Sequence, residues 1–187
     1  LFMTLIRSLI RATSIGNVSW SGDDMKALAP AERLHHVISF TNRYLVETHG
    51  DADMFATVFI SVFNLQKNVL TFINCGNEPA LLWRSGRAVT ALQPTGHVVG
   101  AIPNADFSSE EIALEKDDLL LAFTDGIPDA CNIENDTFGR ERLLELLDGG
   151  ETTPATLLEI IEERLREFIG AADQFDDITL LAVKKDS

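Results

Sequence analysis

Two apolar runs in the second half of the chain each adjoin an acidic motif, and this arrangement constrains the fold most. Residues 119–123 are followed by Thr124-Asp125-Gly126, and the largely apolar residues 178–183 follow Asp176-Asp177. If both runs are buried strands, Asp125 and Asp176 lie at strand ends, on the rim of a sheet. Carboxylates gathered at one rim repel one another, and a hard cation such as Mg²⁺ or Mn²⁺ would neutralise them.

Each motif also has an ordinary structural interpretation. Asp-Gly is a frequent hairpin turn, and taken alone Asp125-Gly126 is as consistent with such a turn as with a functional site. Residues 127–132 do not begin a matching strand, however, and Pro128 would interrupt one. Asp176-Asp177 alone is more readily a polar turn before a strand. Because the two motifs can meet only through the fold, their joint occurrence favours a site.

The composition limits the classes of partner. The chain has 187 residues, with 29 acidic against 15 basic side chains and a formal charge of −14. This length predicts one domain over residues 1–187. The acidic excess argues against binding to nucleic acid or to anionic lipid. Residues 1–6 are apolar but too short to span a bilayer, and basic residues follow them, the reverse of the order in a signal peptide.

Cysteine usage points to a reducing compartment. Cys75 and Cys131 are the only cysteines, and their spacing matches no metal-binding motif. Two cysteines in a chain of this length do not make a disulfide framework, so we expect a cytoplasmic protein.

The order of predicted elements indicates an α+β fold. Residues 13–29 are predicted to form a mobile loop, the four runs from 55 to 92 a meander, and 108–114 with 118–123 a further hairpin. The predicted elements are helices at 1–12, 30–49, 140–147 and 154–168, and strands at 55–63, 69–74, 80–83, 88–92, 108–114, 118–123 and 178–184. Helices come first, strands fill the middle, and helices return before one last strand. This segregation is typical of helices packed on antiparallel sheets.

The histidines are interpreted as structural. His35 and His36 are adjacent on a predicted helix, so they point about 100° apart and cannot chelate one ion together. His49 ends the same helix, and His97 lies in a glycine-bounded loop.

Six motifs occur in an order that resembles a known family. Together they cover nearly the whole chain, and their combination is specific where any one alone is not. The motif-bearing segments are 53–60, 74–82, 95–100, 119–130, 138–143 and 174–181. The chain resembles the SpoIIE/RsbU-type bacterial serine phosphatases, which are members of the PP2C-like (PPM) metal-dependent group.

The resemblance implies a fold and a site. The fold is a sandwich of two antiparallel β-sheets flanked by α-helices, with two Mn²⁺ or Mg²⁺ ions at one end. Asp125 and Asp176 are implied as metal ligands, while Asp177 steers its neighbour or caps the strand. Metal-bound water, not a catalytic side chain, would attack phosphorus directly. The other implied neighbours of the metals or the substrate are Gly126, Thr124 and Asn77.

It also implies partners. The substrate would be a phosphoserine or phosphothreonine on a signalling protein, typically an anti-sigma-factor antagonist, with an N-terminal sensor or receiver domain in the parent chain.

The chain departs from the family pattern in three places. Upstream G-D-x-x-D and D-V-x-G-H-G elements are absent, so we expect a fragment that lacks its first strands. Such a fragment would hold about half of the metal ligands and be inactive or weakly active alone. Its open sheet edges would allow a homodimer. Residues 76–79 read Gly-Asn-Glu-Pro where G-H-N-P is usual, and Asp129 stands where glutamate is common.

Two rivals to a protein phosphatase stay open. The first is a non-catalytic interaction module with a degenerate phosphatase fold, which the absent ligand elements and the Asn77-Glu78 change favour. The second is a metal-dependent hydrolase of small phosphoesters.

Overall fold

The computed structural model describes residues 2–14, 28–50, 54–85, 87–147 and 153–186. The helices of the described residues are α1 (Phe2–Ser14), α2 (Pro30–His49), α3 (Gly139–Leu147) and α4 (Pro154–Ile169). Their strands are β1 (Val58–Asn64), β2 (Val69–Cys75), β3 (Ala80–Trp83), β4 (Thr90–Leu92), β5 (Glu110–Ala113), β6 (Leu119–Phe123) and β7 (Leu180–Lys184). The chain divides into two compact units, residues 1–77 with 94–113, and residues 78–93 with 114–187.

The first unit combines α1 and α2 with a sheet of order β1-β2-β5, in which both pairings are antiparallel. The β1–β2 hairpin turns at Asn68, which adopts a left-handed φ of 52°, a conformation that asparagine tolerates. The apolar side of α2 is buried together with α1 and the sheet. The core includes Ile6, Leu34, Ile38, Leu45 and Ile73.

The second unit combines α3 and α4 with an antiparallel sheet of order β4-β3-β6-β7. Helix α4 begins where the Thr153 hydroxyl accepts a hydrogen bond from the Thr156 N–H at 3.1 Å, with Pro154 in the first turn. It ends at Gly170, whose φ of 58° suits glycine. The core includes Leu121, Ile127, Leu143, Leu157 and Ile161.

The four predicted helices are confirmed, but two predicted strand pairings are wrong. β2 and β3 lie in different sheets, so the strands from 55 to 92 do not form one meander. β5 pairs with β2 and β6 with β3 and β7, so β5 and β6 do not form a hairpin. Both errors arise because alternation of apolar residues identifies a strand without identifying its neighbours.

Three further predictions concern single segments. Ile160, predicted on the buried face of α4, is 37% exposed, because burial on that helix centres on Leu157, Ile161 and Leu165. Most of the predicted loop, residues 15–27, lies outside the described residues. The single-domain interpretation of residues 1–187 stays a prediction. Within the described ranges, no helix is long and apolar enough to cross a membrane.

The two cysteines are free thiols with different surroundings, and we expect them to react at different rates. Cys75 is 0% exposed, and burial raises the pKa of its thiol to about 12. At pH 8 roughly one Cys75 in 10,000 would then be a thiolate, the form that reacts. Cys131 is partly exposed. Iodoacetamide followed by peptide mass mapping should therefore label Cys131 first and Cys75 only after unfolding. Equal labelling of both thiols in the folded protein would contradict this burial.

Candidate functional site

Strand pairing brings the two acidic motifs to one edge of the second unit's sheet, the edge that is formed by strand ends and not by an outer strand. β6 and β7 are antiparallel, with Leu119 opposite Lys184 and Phe123 opposite Leu180. The end of β6 therefore lies beside the start of β7. Residues 124–126, which follow β6, and residues 176–179, which precede β7, meet at this edge.

Thr124 joins the two motifs through three hydrogen bonds. Its backbone N–H donates to the Thr179 carbonyl at 3.2 Å. Its hydroxyl donates to the Asp177 carbonyl at 2.9 Å and accepts from the Thr179 N–H at 3.0 Å. The pairing of β6 with β7 thus continues past Phe123 and Leu180, up to the residues that carry the carboxylates.

Gly126 allows the two segments to touch. A Cβ added at this position would lie 2.5 Å from the Asp177 carbonyl oxygen, which is closer than a real Cβ can approach. The absence of a side chain is therefore a requirement of the backbone contact between 124–126 and 176–177.

Asp125 begins a compact turn and not a hairpin. The Asp125 carbonyl accepts a hydrogen bond from the Asp129 N–H at 3.0 Å, and the Thr124 carbonyl accepts one from Ile127 at 3.2 Å. Ile127 is fully buried in the core and anchors the turn, while Asp125 is exposed. The hairpin interpretation of Asp125-Gly126 is wrong, because β6 pairs with β3 and with the distant β7, and not with a strand that begins directly after the turn.

Asp176 is exposed and is held by its immediate neighbours. One carboxylate oxygen accepts the Asp177 N–H at 2.6 Å, and the Asp176 carbonyl accepts the Gln174 side-chain amide at 2.7 Å. Asp177 contacts Thr124 through its main chain, so its predicted steering or capping by the side chain stays a prediction. Sequence reasoning missed Gln174, although an amide two residues before the motif was a usable signal.

The donor set fits part of a divalent-cation site. Asp125 and Asp176 offer hard carboxylate oxygens, which Mg²⁺ and Mn²⁺ prefer, and both are open to solvent. Over the ranges that the structure describes, no group of three or more His, Cys, Asp or Glu side chains is placed to hold a metal. Two carboxylates with waters can bind such an ion, although more weakly than a complete protein shell.

The remaining predicted residues belong to the first unit, whereas the two acidic motifs belong to the second. Asn77 belongs to the first unit, where its N–H donates to the Asn74 side chain at 2.9 Å. Its predicted place near the substrate stays a prediction. His35 and His36, interpreted as structural, lie on α2.

A family model described as Stage II sporulation protein E (SpoIIE) matches residues 1–186. Protein IcfG of Synechocystis sp. is 33% identical over 195 residues, covering 98% of this chain and 31% of IcfG. Phosphoserine phosphatase RsbU of Bacillus subtilis is 28% identical over 152 residues, covering 80% of this chain and 44% of RsbU. The chain thus spans less than half the length of either relative.

Solved structures give the fold. The SiaA-PP2C domain of Pseudomonas aeruginosa matches with a TM-score of 0.76 at 20% identity, over 97% of this chain and 70% of that one. A structure of RsbX in complex with magnesium matches with a TM-score of 0.58 at 16% identity, over 96% of this chain and 72% of that one. The predicted PP2C-like α+β fold, with two antiparallel sheets and flanking helices, is confirmed. The absence of its first strands stays a prediction.

Proposed function

Because this chain belongs to the SpoIIE family, we propose that it is the phosphatase domain of a Mn²⁺- or Mg²⁺-dependent protein serine/threonine phosphatase. The observation that carries the proposal is the contact of Thr124 and Gly126 with residues 176–179, which brings both acidic motifs to one sheet edge. The relative RsbU is named a phosphoserine phosphatase, and the magnesium complex of RsbX has the same fold.

In this proposal Asp125 and Asp176 hold the divalent ions. The ions, when bound, would polarise the phosphoryl group and make water a nucleophile near neutral pH. The chain itself contributes the carboxylates of Asp125 and Asp176, which are carried on main-chain segments joined by hydrogen bonds. Both aspartates are exposed, so a phosphorylated side chain on another protein can reach them.

The proposed partners follow from the family. The substrate would be a phosphoserine or phosphothreonine on a signalling protein, of which an anti-sigma-factor antagonist is the leading candidate. A sensor or receiver domain in the parent chain, a cytoplasmic location and a homodimer are part of the same proposal.

One observation favours the alternative of a non-catalytic module. The described residues include no group of three or more metal-binding side chains. A module that binds a regulator without turnover needs no complete metal site.

Metal removal tests the proposal. We expect phosphate release from a phosphoserine peptide by the full-length parent protein to stop after treatment with EDTA and to return when Mn²⁺ or Mg²⁺ is added in excess. Undiminished release in EDTA would contradict metal dependence. No release under any condition would favour the binding module. A strong preference for p-nitrophenyl phosphate over the peptide would favour a hydrolase of small phosphoesters.

A further inference from the structure

We propose that the Thr124 hydroxyl is a positioning group for the candidate metal site, which sets the spacing of Asp125 and Asp176 and thereby the affinity for Mn²⁺. This inference rests on the proposed function. Thr124 would act through the two aspartates and would not itself touch the metal or the substrate.

The hydrogen bonds of the hydroxyl support this role. A hydroxyl has one proton to donate, and Thr124 gives it to the Asp177 carbonyl at 2.9 Å. The same oxygen accepts the Thr179 N–H at 3.0 Å. With one donated and one accepted bond, the orientation of the hydroxyl is fixed. The nearest main-chain contact, from the Thr124 N–H to the Thr179 carbonyl, is longer at 3.2 Å.

These hydrogen bonds lie next to both carboxylates in the chain, so they can control the distance between the carboxylates. Thr124 precedes Asp125 by one residue, and Asp177 follows Asp176 by one residue. Consecutive Cα atoms are about 3.8 Å apart, so the hydroxyl bond joins the immediate neighbours of both candidate ligands. Gly126 contacts the Asp177 carbonyl from the other side of Asp125. Asp125 therefore lies between two points of contact with the 176–177 segment.

Groups that orient metal ligands affect metal binding without touching the ion. Removing such a group commonly weakens metal affinity by about 10- to 100-fold. Loss of the Thr124 hydroxyl would leave the Asp177 carbonyl and the Thr179 N–H without this partner, and the 176–179 segment could then move away from Asp125.

Two substitutions separate the hydroxyl from the rest of the side chain. Thr124→Val keeps the shape of threonine and removes the hydroxyl, while Thr124→Ser keeps the hydroxyl and removes the methyl group. Binding of Mn²⁺ is measured by the electron paramagnetic resonance signal of free Mn²⁺, without substrate. We expect Thr124→Val to raise the dissociation constant at least about tenfold and Thr124→Ser to stay within about threefold of the wild type.

The kinetic signature should differ from that of a general loss of structure. Turnover of Thr124→Val at saturating Mn²⁺ should stay within about threefold of the wild type, while the Mn²⁺ concentration for half-maximal rate rises about tenfold. Equal Mn²⁺ affinity in Thr124→Val and the wild type would overturn the inference. So would equal weakening in Thr124→Ser, since the methyl group would then be responsible. If Thr124→Val does not fold, Thr124→Ala replaces it in the comparison with Thr124→Ser.

The wild-type protein and Asp125→Asn distinguish the two levels of the proposal. A wild type that binds no Mn²⁺ would overturn the proposed function together with this inference. If the wild type binds Mn²⁺ and Asp125→Asn does not, but Thr124→Val binds normally, only the positioning role fails.

Discussion

In the full-length parent protein, replacement of Asp125 or Asp176 by asparagine is expected to lower Mn²⁺-dependent phosphate release at least about 100-fold, equivalent to about 2.7 kcal/mol of transition-state stabilisation. Asparagine has nearly the shape of aspartate but no charge, so it binds a hard cation poorly. Folding should be unaffected. Both side chains are exposed, and the asparagine carbonyl at 176 can still accept the Asp177 N–H that the carboxylate accepts at 2.6 Å.

Asp173→Asn provides the matched control. Asp173 is exposed, lies three residues before Asp176 and has no role in the proposed site, yet its substitution removes the same charge. Initial rates at several Mn²⁺ concentrations should leave Asp173→Asn close to the wild type. Normal turnover in Asp125→Asn and Asp176→Asn would remove both residues from the metal site. An equal loss in Asp173→Asn would show that net charge, and not ligation, is responsible.

Replacement of Asp118 by alanine is expected to lower the free energy of unfolding by about 2–3 kcal/mol. The Asp118 side chain is 1% exposed and accepts hydrogen bonds from Arg84 Nε at 2.8 Å and Arg84 Nη2 at 2.7 Å. It also accepts the Glu115 N–H at 2.7 Å. The hydrogen bond with Asp118 is the main reason that the pKa of Arg84 is raised. Alanine would leave the Arg84 guanidinium, whose side chain is 19% exposed and lies 3.6 Å from the exposed Glu115 carboxylate, without this buried partner.

Two comparisons make the stability prediction specific. Glu167→Ala breaks an ion pair with Arg164 whose side chains are 60% and 62% exposed, and it should cost less than about 1 kcal/mol. The double variant Arg84→Met/Asp118→Leu replaces the buried pair by apolar groups and should be more stable than Asp118→Ala alone. Urea unfolding can be followed by Trp83 fluorescence in a Trp20→Phe background, where Trp83 is the only tryptophan. A loss for Asp118→Ala no larger than that for Glu167→Ala would contradict this account.

The sequence was sufficient for the helices and for the fold class. The apolar residues of α2 recur at helical spacing, Pro30 precedes them, and the helix begins there. Strand neighbours could not be predicted in the same way. β2 and β3 are both apolar and close in the chain, yet they belong to different sheets. Nothing in the periodicity of either strand encodes its partner, which the packing of the whole chain selects.

The candidate site likewise has one feature that the sequence predicts and one that it does not. The prediction that residues 124–126 and 176–179 meet follows from two apolar runs with acidic ends, and the β6–β7 pairing brings the two segments together. The double hydrogen bond of Thr124 was not predictable, because it joins positions 53 and 55 residues apart and depends on one hydroxyl orientation.

Hydrogen bonds hold the interior strand β6 at both of its ends, and they limit where the chain can gain or lose residues. Asp118, directly before β6, is tied to Arg84, and Thr124, directly after it, is tied to residues 177–179. The five residues of β6 lie between these two positions, which are therefore about 20 Å apart along the strand. A shift of β6 by one residue would break both sets of hydrogen bonds and would move each β6 side chain to the opposite face of the sheet. The number of residues between Asp118 and Thr124 is therefore constrained, and natural insertions or deletions should be confined to the loops around β6.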